Sequence, residues 1–337
     1  MSALVPYCPI CETKNKLLRC QGCMVVFYCC REHQVVDRKR HKRLCNAINR
    51  TRTRLENEER RLREKTFPEN VFEKSFGFFW KIFITRDYMR ARNTYVETLL
   101  QVNSYEAVKT SLYHLIEMLN LCRGDDLGLR FLIPALFIRL DKDQECYDFI
   151  KWHITTGSKA NYNYFDMNQP FLDVKDADVF EPVQRFIRRY SSIEYAVALM
   201  LIKMKLLADI KFLHNCNILS YGDHRLPPEI IDHIRKEGAG RIAIKRKDIL
   251  RSTDQEKLIV KLEMQLQKLF QYVNKSNKYV WPGFLNPKGY LEAITPIIDS
   301  WGSEEHAIQI VQYYYQAFVE TTGSNKMIRE MLKPVKF

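Results

Sequence analysis

Seven of the ten cysteines fall within the first forty-five residues: Cys8, Cys11, Cys20, Cys23, Cys29, Cys30 and Cys45, with Cys122, Cys146 and Cys216 scattered through the remaining 292 positions. Crowding of this kind ties a short segment to itself, either by disulfides or by thiolates gathered around a metal. The stretch from Met1 to Tyr7 is short and uncharged and runs straight into Cys8. It lacks the basic start and apolar run of a secretory signal, so the expected setting is intracellular, in cytoplasm or nucleus. Thiols stay reduced there, and clustered cysteines bind metal more often than they pair.

The spacing carries the metal reading further. Cys8-Pro9-Ile10-Cys11 and Cys20-Gln21-Gly22-Cys23 are two C-x2-C knuckles, a separation that lets two sulfurs of one tight turn reach the same tetrahedral ion. Cys29, His33, His41 and Cys45 follow. Eight soft or borderline ligands, six sulfurs and two imidazoles, fill two closed tetrahedral sites, and the ion expected in each is a structural Zn2+. With every coordination position taken by protein, no place is left for a reactive water, which argues against hydrolysis at the metal. A segment this short cannot bury a sufficient apolar core, and zinc binding free energy substitutes for the missing burial.

The order C-x2-C-x8-C-x2-C-x5-C-x3-H-x7-H-x3-C, with Tyr28 just before the fifth ligand, resembles the MYND family of zinc fingers. The resemblance implies interleaved sites, Cys8, Cys11, Cys29 and His33 around one zinc and Cys20, Cys23, His41 and Cys45 around the other, a pairing that spacing alone leaves open. His33 stands where the family usually has cysteine, and Cys30 where it usually has serine. The resemblance further implies a protein-interaction module, some members of which recognise proline-containing peptides through a glutamine and a tryptophan. Gln34 matches the glutamine, but the tryptophan position is Arg38, which removes a large apolar platform for a peptide.

Charge is distributed unevenly. Residues 1–65 hold 16 Lys and Arg against 7 Asp and Glu, a net of +9 out of +13 for the whole chain. The densest run, Arg38-Lys39-Arg40 with Lys42 and Arg43, reads as a solvated helix face that would suit an acidic protein segment or nucleic-acid phosphates. Asn49 to Lys65, NRTRTRLENEERRLREK, places acids and bases three or four apart as on an exposed helix. It is expected to act as a charged helical connector ending near Pro68. The division is then a finger over 1–48, a connector over 49–68 and a helical domain over 69–337.

Beyond the connector, apolar residues recur at helical spacing, as in Tyr105, Val108, Leu112, Leu115, Ile116 and Leu119, or Leu258, Ile259, Leu262, Leu266, Leu269 and Phe270. Gly124 and the acids Asp125 and Asp126 punctuate a helix–turn–helix. Further helices are expected at 143–154, 193–214, 228–236 and 303–320, with Thr155 to Asp178 a long excursion. Short strands are expected only around Val25 to Tyr28. The fold class is therefore mainly α: a small N-terminal zinc-stabilised finger plus a large α-helical domain, in which Tyr105 to Trp152 resembles divergent tetratricopeptide-like repeats. The most apolar window, Ala196 to Leu207, contains Lys203 and Lys205 and is too short to cross a bilayer.

Three functional classes follow. The leading one is a zinc-binding adaptor or regulator whose partners are proteins, recognised through proline-containing or acidic segments, with no membrane partner. The second is a nucleic-acid-associated transcriptional regulator. The third is a relative of protein methyltransferases, in some of which such a finger is inserted in a SET domain; only seven residues precede Cys8 here. The segment Phe212-Leu213-His214-Asn215-Cys216-Asn217 has the wrong residue order for that motif. No phosphate loop, nucleophile elbow or HExxH helix accompanies it, so the expectation is a non-enzyme. Trp281-Pro282-Gly283 and Tyr313-Tyr314-Tyr315 read as a structured turn and as core packing. Whole-chain layout, including YAVALMLIKMKLLADIKFL followed by RLPPEIIDHIR, resembles fungal MYND-finger proteins, a likeness that implies no mechanism.

Overall fold

A computed structural model describes residues 4–64, 70–189, 191–220, 227–252, 254–294 and 300–333. Among them the regular secondary structure is almost all helix, with a single two-stranded sheet, β1 (Leu18–Arg19) antiparallel to β2 (Phe27–Tyr28). Leu18 lies opposite Tyr28 and Arg19 opposite Phe27, so β2 falls where strand was expected, around Val25 to Tyr28, and β1 lies before that stretch, the two forming a short hairpin inside the cysteine-rich segment.

The helices are α1 (Arg31–Arg63), α2 (Val71–Lys74), α3 (Arg86–Leu99), α4 (Tyr105–Leu121), α5 (Ile133–Arg139), α6 (Asp143–Thr155), α7 (Ile193–Ser220), α8 (Pro228–Gly238), α9 (Arg241–Lys245), α10 (Lys247–Arg251), α11 (Glu256–Ser276), α12 (Val280–Leu285), α13 (Lys288–Glu292), α14 (Glu304–Glu320) and α15 (Ser324–Leu332). The chain forms two compact units. One contains Ala3–Leu136 and Lys159–Phe171; the other contains Phe137–Ser158 and Leu172–Phe337.

In the unit that holds the cysteine-rich segment, α1 packs along α3, and α3 along α4. The apolar faces match: Ile48, Leu55 and Leu62 of α1 and Tyr88, Tyr95, Val96 and Leu99 of α3 are all buried. Helix α1 begins among the ligands and continues without a break through the charged stretch expected as a connector, because its acids and bases pair at i,i+3 and i,i+4: Arg61 with Glu58 at 2.9 Å and Arg63 with Glu59 at 2.7 Å. Lys65 and Pro68 lie outside the described residues. Ser104 caps α4, accepting from the Ala107 amide. Asp125 accepts from the amides of Leu129 (2.7 Å) and Arg130 (3.1 Å), the capping role its position suggests. The excursion after α6 returns part of itself to this unit: the Arg123 guanidinium donates to the carbonyls of Asp166 (3.3 Å) and Gln169 (3.2 Å), and Phe78 stacks on Phe165.

In the other unit α7 is the centre. Its window from Ala196 to Ile202 is wholly buried, and α7 packs mainly against α11. Among the described residues no helix is long and apolar enough to cross a membrane. Helix α7 runs past His214 and Cys216, which therefore sit within a helix and not at its end. Helix α8 starts at Pro228 with Pro227 as its N-cap, a position where the missing amide costs nothing. Trp281-Pro282-Gly283 is not a turn but the body of α12. Pro282 lies in the first helical turn, where its absent N–H has no partner to lose, and Trp281 is buried against Phe270, the rings stacked at 5.7 Å. Tyr314 of the expected core triplet is fully buried.

Candidate metal centre

The hairpin β1–β2 and the start of α1 bring the eight candidate ligands together in two groups. Cys8, Cys11, Cys29 and His33 form one, and Cys20, Cys23, His41 and Cys45 the other, with donor atoms of each group all within 4.8 Å of one another. The groups interleave along the chain, first and third pairs against second and fourth, as the resemblance implied. All ten cysteines are free thiols.

Local backbone explains how each knuckle turns. After the second cysteine of each, the chain passes through the left-handed region, at Glu12 (φ 58°) and at Met24 (φ 65°). There the amide of Glu12 donates to the Cys8 carbonyl at 2.8 Å and that of Met24 to the Cys20 carbonyl at 2.9 Å. The identical closure of two non-glycine turns aims both cysteines of each knuckle inward. From the other side, α1 supplies His33, His41 and Cys45; His41 and Cys45 are four residues apart and so share a face. Its N-cap is Cys30, immediately after Cys29.

The spacings test whether zinc fits. A tetrahedral ion with bonds of about 2.3 Å to sulfur holds neighbouring sulfurs about 3.8 Å apart, and sulfur to nitrogen slightly closer. Cys20 and Cys45 sulfurs are 3.8 Å apart, Cys11 and Cys29 sulfurs 3.5 Å, Cys23 Sγ to His41 Nε2 3.6 Å and Cys8 Sγ to His33 Nδ1 3.6 Å. Cys29 Sγ and His33 Nδ1 are closer, at 3.0 Å. These are edges of two tetrahedra, far longer than a disulfide of about 2.05 Å. Electrostatics point the same way. Burial works against the Cys8 thiolate, but backbone amides of Cys29, Ile10 and Cys11 outweigh it and hold the thiol at about 6. Hydrogen bonds from Cys23 and His41 hold Cys20 at about 2, while the contact with Cys20 and burial push Cys23 up. Burial also pushes Cys45 up. Crowded sulfurs without a cation must share protons; a dication lets all of them ionise.

Several residues outside the ligand set complete the site. Tyr28 donates to Asp37 Oδ2 at 2.7 Å, and Arg40 Nε donates to Asp37 Oδ1 at 2.8 Å, so a buried carboxylate clamps β2 to α1. The Tyr28 ring meets the His41 ring edge-on at 6.0 Å. Gly22 lies against the second site, where a β-carbon would stand 2.7 Å from Cys45 Sγ. Arg52 donates to the Gly22 carbonyl at 3.2 Å, and Ser104 to that of Val25 at 2.7 Å. Arg19 pairs with Glu106 at 3.3 Å. Nothing in the sequence advertises these partners, since they join residues up to 87 positions apart. Cys30 belongs to neither group, and its sulfur lies 3.8 Å from that of Cys29.

Arg38, Lys39, Arg40, Lys42 and Arg43 are all exposed on α1, as are Val35 and Val36. Gln34 is half-buried beside them.

Two interleaved Cys3His clusters joined by a β-hairpin and the start of a helix define a small zinc-held finger. Residues 8–45 match the family described as MYND finger, and the two clusters within them fit two zinc ions. Two relatives share a stretch of about that size. Egl nine homolog 1 from Homo sapiens is 51% identical over 41 residues, 12% of this chain and 10% of that protein. Rho GTPase-activating protein gacZ from Dictyostelium discoideum is 43% identical over 53 residues, 16% of this chain and 5% of that protein. The chain thus covers a tenth or less of the length of these curated relatives. No solved structure matches it.

Proposed function

We propose that the chain is an adaptor or regulator that presents the outer face of its finger to acidic segments of partner proteins. The observation that carries this is one exposed stretch of α1. Val35 and Val36 are 60% and 67% accessible beside the exposed Arg38, Lys39, Arg40, Lys42 and Arg43, while His33, His41 and Cys45 hold the helix to the metal clusters. Apolar side chains rimmed by charge on a rigid helix have the composition of a small binding face. Arg38 in place of an aromatic platform favours charge over stacking. Two closed clusters support a structural zinc and a non-catalytic role. The test is capture by the zinc-loaded chain, comparing wild type with Val35→Ser/Val36→Ser and with Arg38→Glu/Lys39→Glu. The reading expects defined proteins with acidic segments to be retained by wild type and lost with both variants; retention unchanged by either would end it.

The same basic run favours a second reading, binding to nucleic-acid phosphates. That reading expects single-stranded or duplex DNA or RNA to raise fluorescence anisotropy at low salt, with affinity falling steeply between about 50 and 200 mM salt. No salt-dependent binding would remove it.

A further inference from the structure

The two clusters use the same ligand types but differ in cover. At the second, Cys20, Cys23, His41 and Cys45 are all buried, Gly22 presses on Cys45, and the Tyr28 ring closes over His41. At the first, Cys8 is buried, but Cys11 is exposed, and Cys29 and His33 are only half-covered. The exposed sulfur of Cys11 lies 3.5 Å from that of Cys29.

We propose that the first cluster is an oxidation-sensitive zinc site, in which a peroxide joins Cys11 to Cys29 and that zinc alone leaves. Cys11 is the sulfur a small oxidant in solution reaches. Its thiolate attacks one peroxide oxygen, the O–O bond breaks, and the departing hydroxide takes a proton to become water, leaving Cys11 as a sulfenic acid. The Cys29 sulfur then displaces the hydroxyl from Cys11; the S–S bond forms, the S–O bond breaks, and a second water leaves. Two cysteines lose two electrons in total, and one peroxide becomes two waters. Closing 3.5 Å to the roughly 2.05 Å of a disulfide removes two of the four donors. Cys8 and His33 remain, too few for a closed tetrahedral site. Cys30, 3.8 Å from Cys29, is the other thiol near this reaction and the one the test must separate. At the second cluster all four donor residues are buried, none more than 7% exposed, which shields them from the same oxidant.

The test treats the full zinc-loaded chain and its Cys30→Ser variant with hydrogen peroxide, follows released zinc with a chromogenic chelator and maps disulfides by mass spectrometry. Metal analysis before treatment must give about two zinc ions per chain; this is the separate check of the zinc reading on which the inference rests. Expected in both proteins are loss of half the bound zinc, a Cys11–Cys29 disulfide, intact Cys20, Cys23 and Cys45, and regain of the lost zinc after reduction with dithiothreitol. Loss of both ions together, zinc retained after the disulfide forms, or release that needs Cys30 would each overturn the proposal.

Discussion

Gly22 shows how little room a buried zinc cluster leaves. A β-carbon there would stand in ordinary contact with the Cys20 sulfur at 3.9 Å but only 2.7 Å from that of Cys45, closer than such a contact allows without displacing a ligand. Gly22→Ala is expected to weaken the second site alone, by about 1–3 kcal/mol. Metal analysis after dialysis against a mild chelator should then give about one zinc per chain where wild type keeps two, and two retained ions would contradict this. His114 offers a different kind of check. Its Nδ1 accepts from Arg92 Nε at 2.9 Å, and burial together with that guanidinium holds its pKa down to about 4 from 6.5. A depressed pKa means that the unfolded chain takes up the proton first. The stability contributed is full above pH 6.5 and is lost as the pH falls towards 4. Urea midpoints of His114→Gln should accordingly fall less over that window than those of wild type; parallel curves would remove this assignment. At this scale the eight ligands were legible because few residue types bind zinc and their spacing is restrictive. Gly22, Asp37 and the left-handed Glu12 and Met24 were not, since their roles depend on neighbours brought near only by folding, and neither left-handed residue is a glycine.

Two helices show different ways for an element to be held. Helix α1 is polar along most of its length, and its order comes from zinc at one end, ion pairs along its exposed side and α3 beneath it. Isolated helices gain little from propensity alone, so removing zinc is expected to fray α1 from Arg31 through Cys45 while the part buried against α3 stays helical. Hydrogen exchange with and without a strong chelator should show lost protection confined to the finger and those first turns. Unchanged protection in the finger would contradict it. Helix α7 is the opposite case, apolar almost all round and buried from Ile193 through Met204, with Lys203 wholly buried inside it. Its ammonium donates to the Val179 carbonyl and lies 5.8 Å from the Tyr147 ring centroid, and burial holds its pKa down to about 7 from 10.5. The unfolded chain binds this proton between those values, so the contribution to stability is full above pH 10.5 and declines as the pH drops to 7. Lys203→Met is expected to raise stability at pH 7 by about 1–3 kcal/mol, read as a higher urea midpoint; a lower one would mean the Val179 bond outweighs the burial cost. Helix positions were legible in the sequence, as over 193–214, which lies within α7, and from Leu258 to Phe270, which lies within α11. The charged stretch itself read as helical, but its continuity with the helix that carries His41 and Cys45 did not, because charge spacing shows a helix without showing where it begins.

On the scale of the whole chain, the finger does not form a compact unit of its own but shares one with α1 to α4 and with Lys159–Phe171. Whatever binds only the folded state stabilises the unit that binds it. Calorimetry with and without chelator is therefore expected to move the transition of the zinc-bearing unit to lower temperature, and no shift in any transition would count against a structural role for the metal. The mainly helical class and the finger could be read from composition and ligand order. The return of 159–171 to the first unit could not, because its anchors, Arg123 and Phe78, are 43 and 87 positions away from their partners Asp166 and Phe165. Helix α1, 33 residues long, spans about 50 Å. Its first turns are gripped by metal and its last lie along the helical layer, so it behaves as a stiff rod clamped at both ends. A protein seated on the finger would be held at a fixed distance and bearing from that layer, and a torque applied at the metal end would be felt some nine turns away.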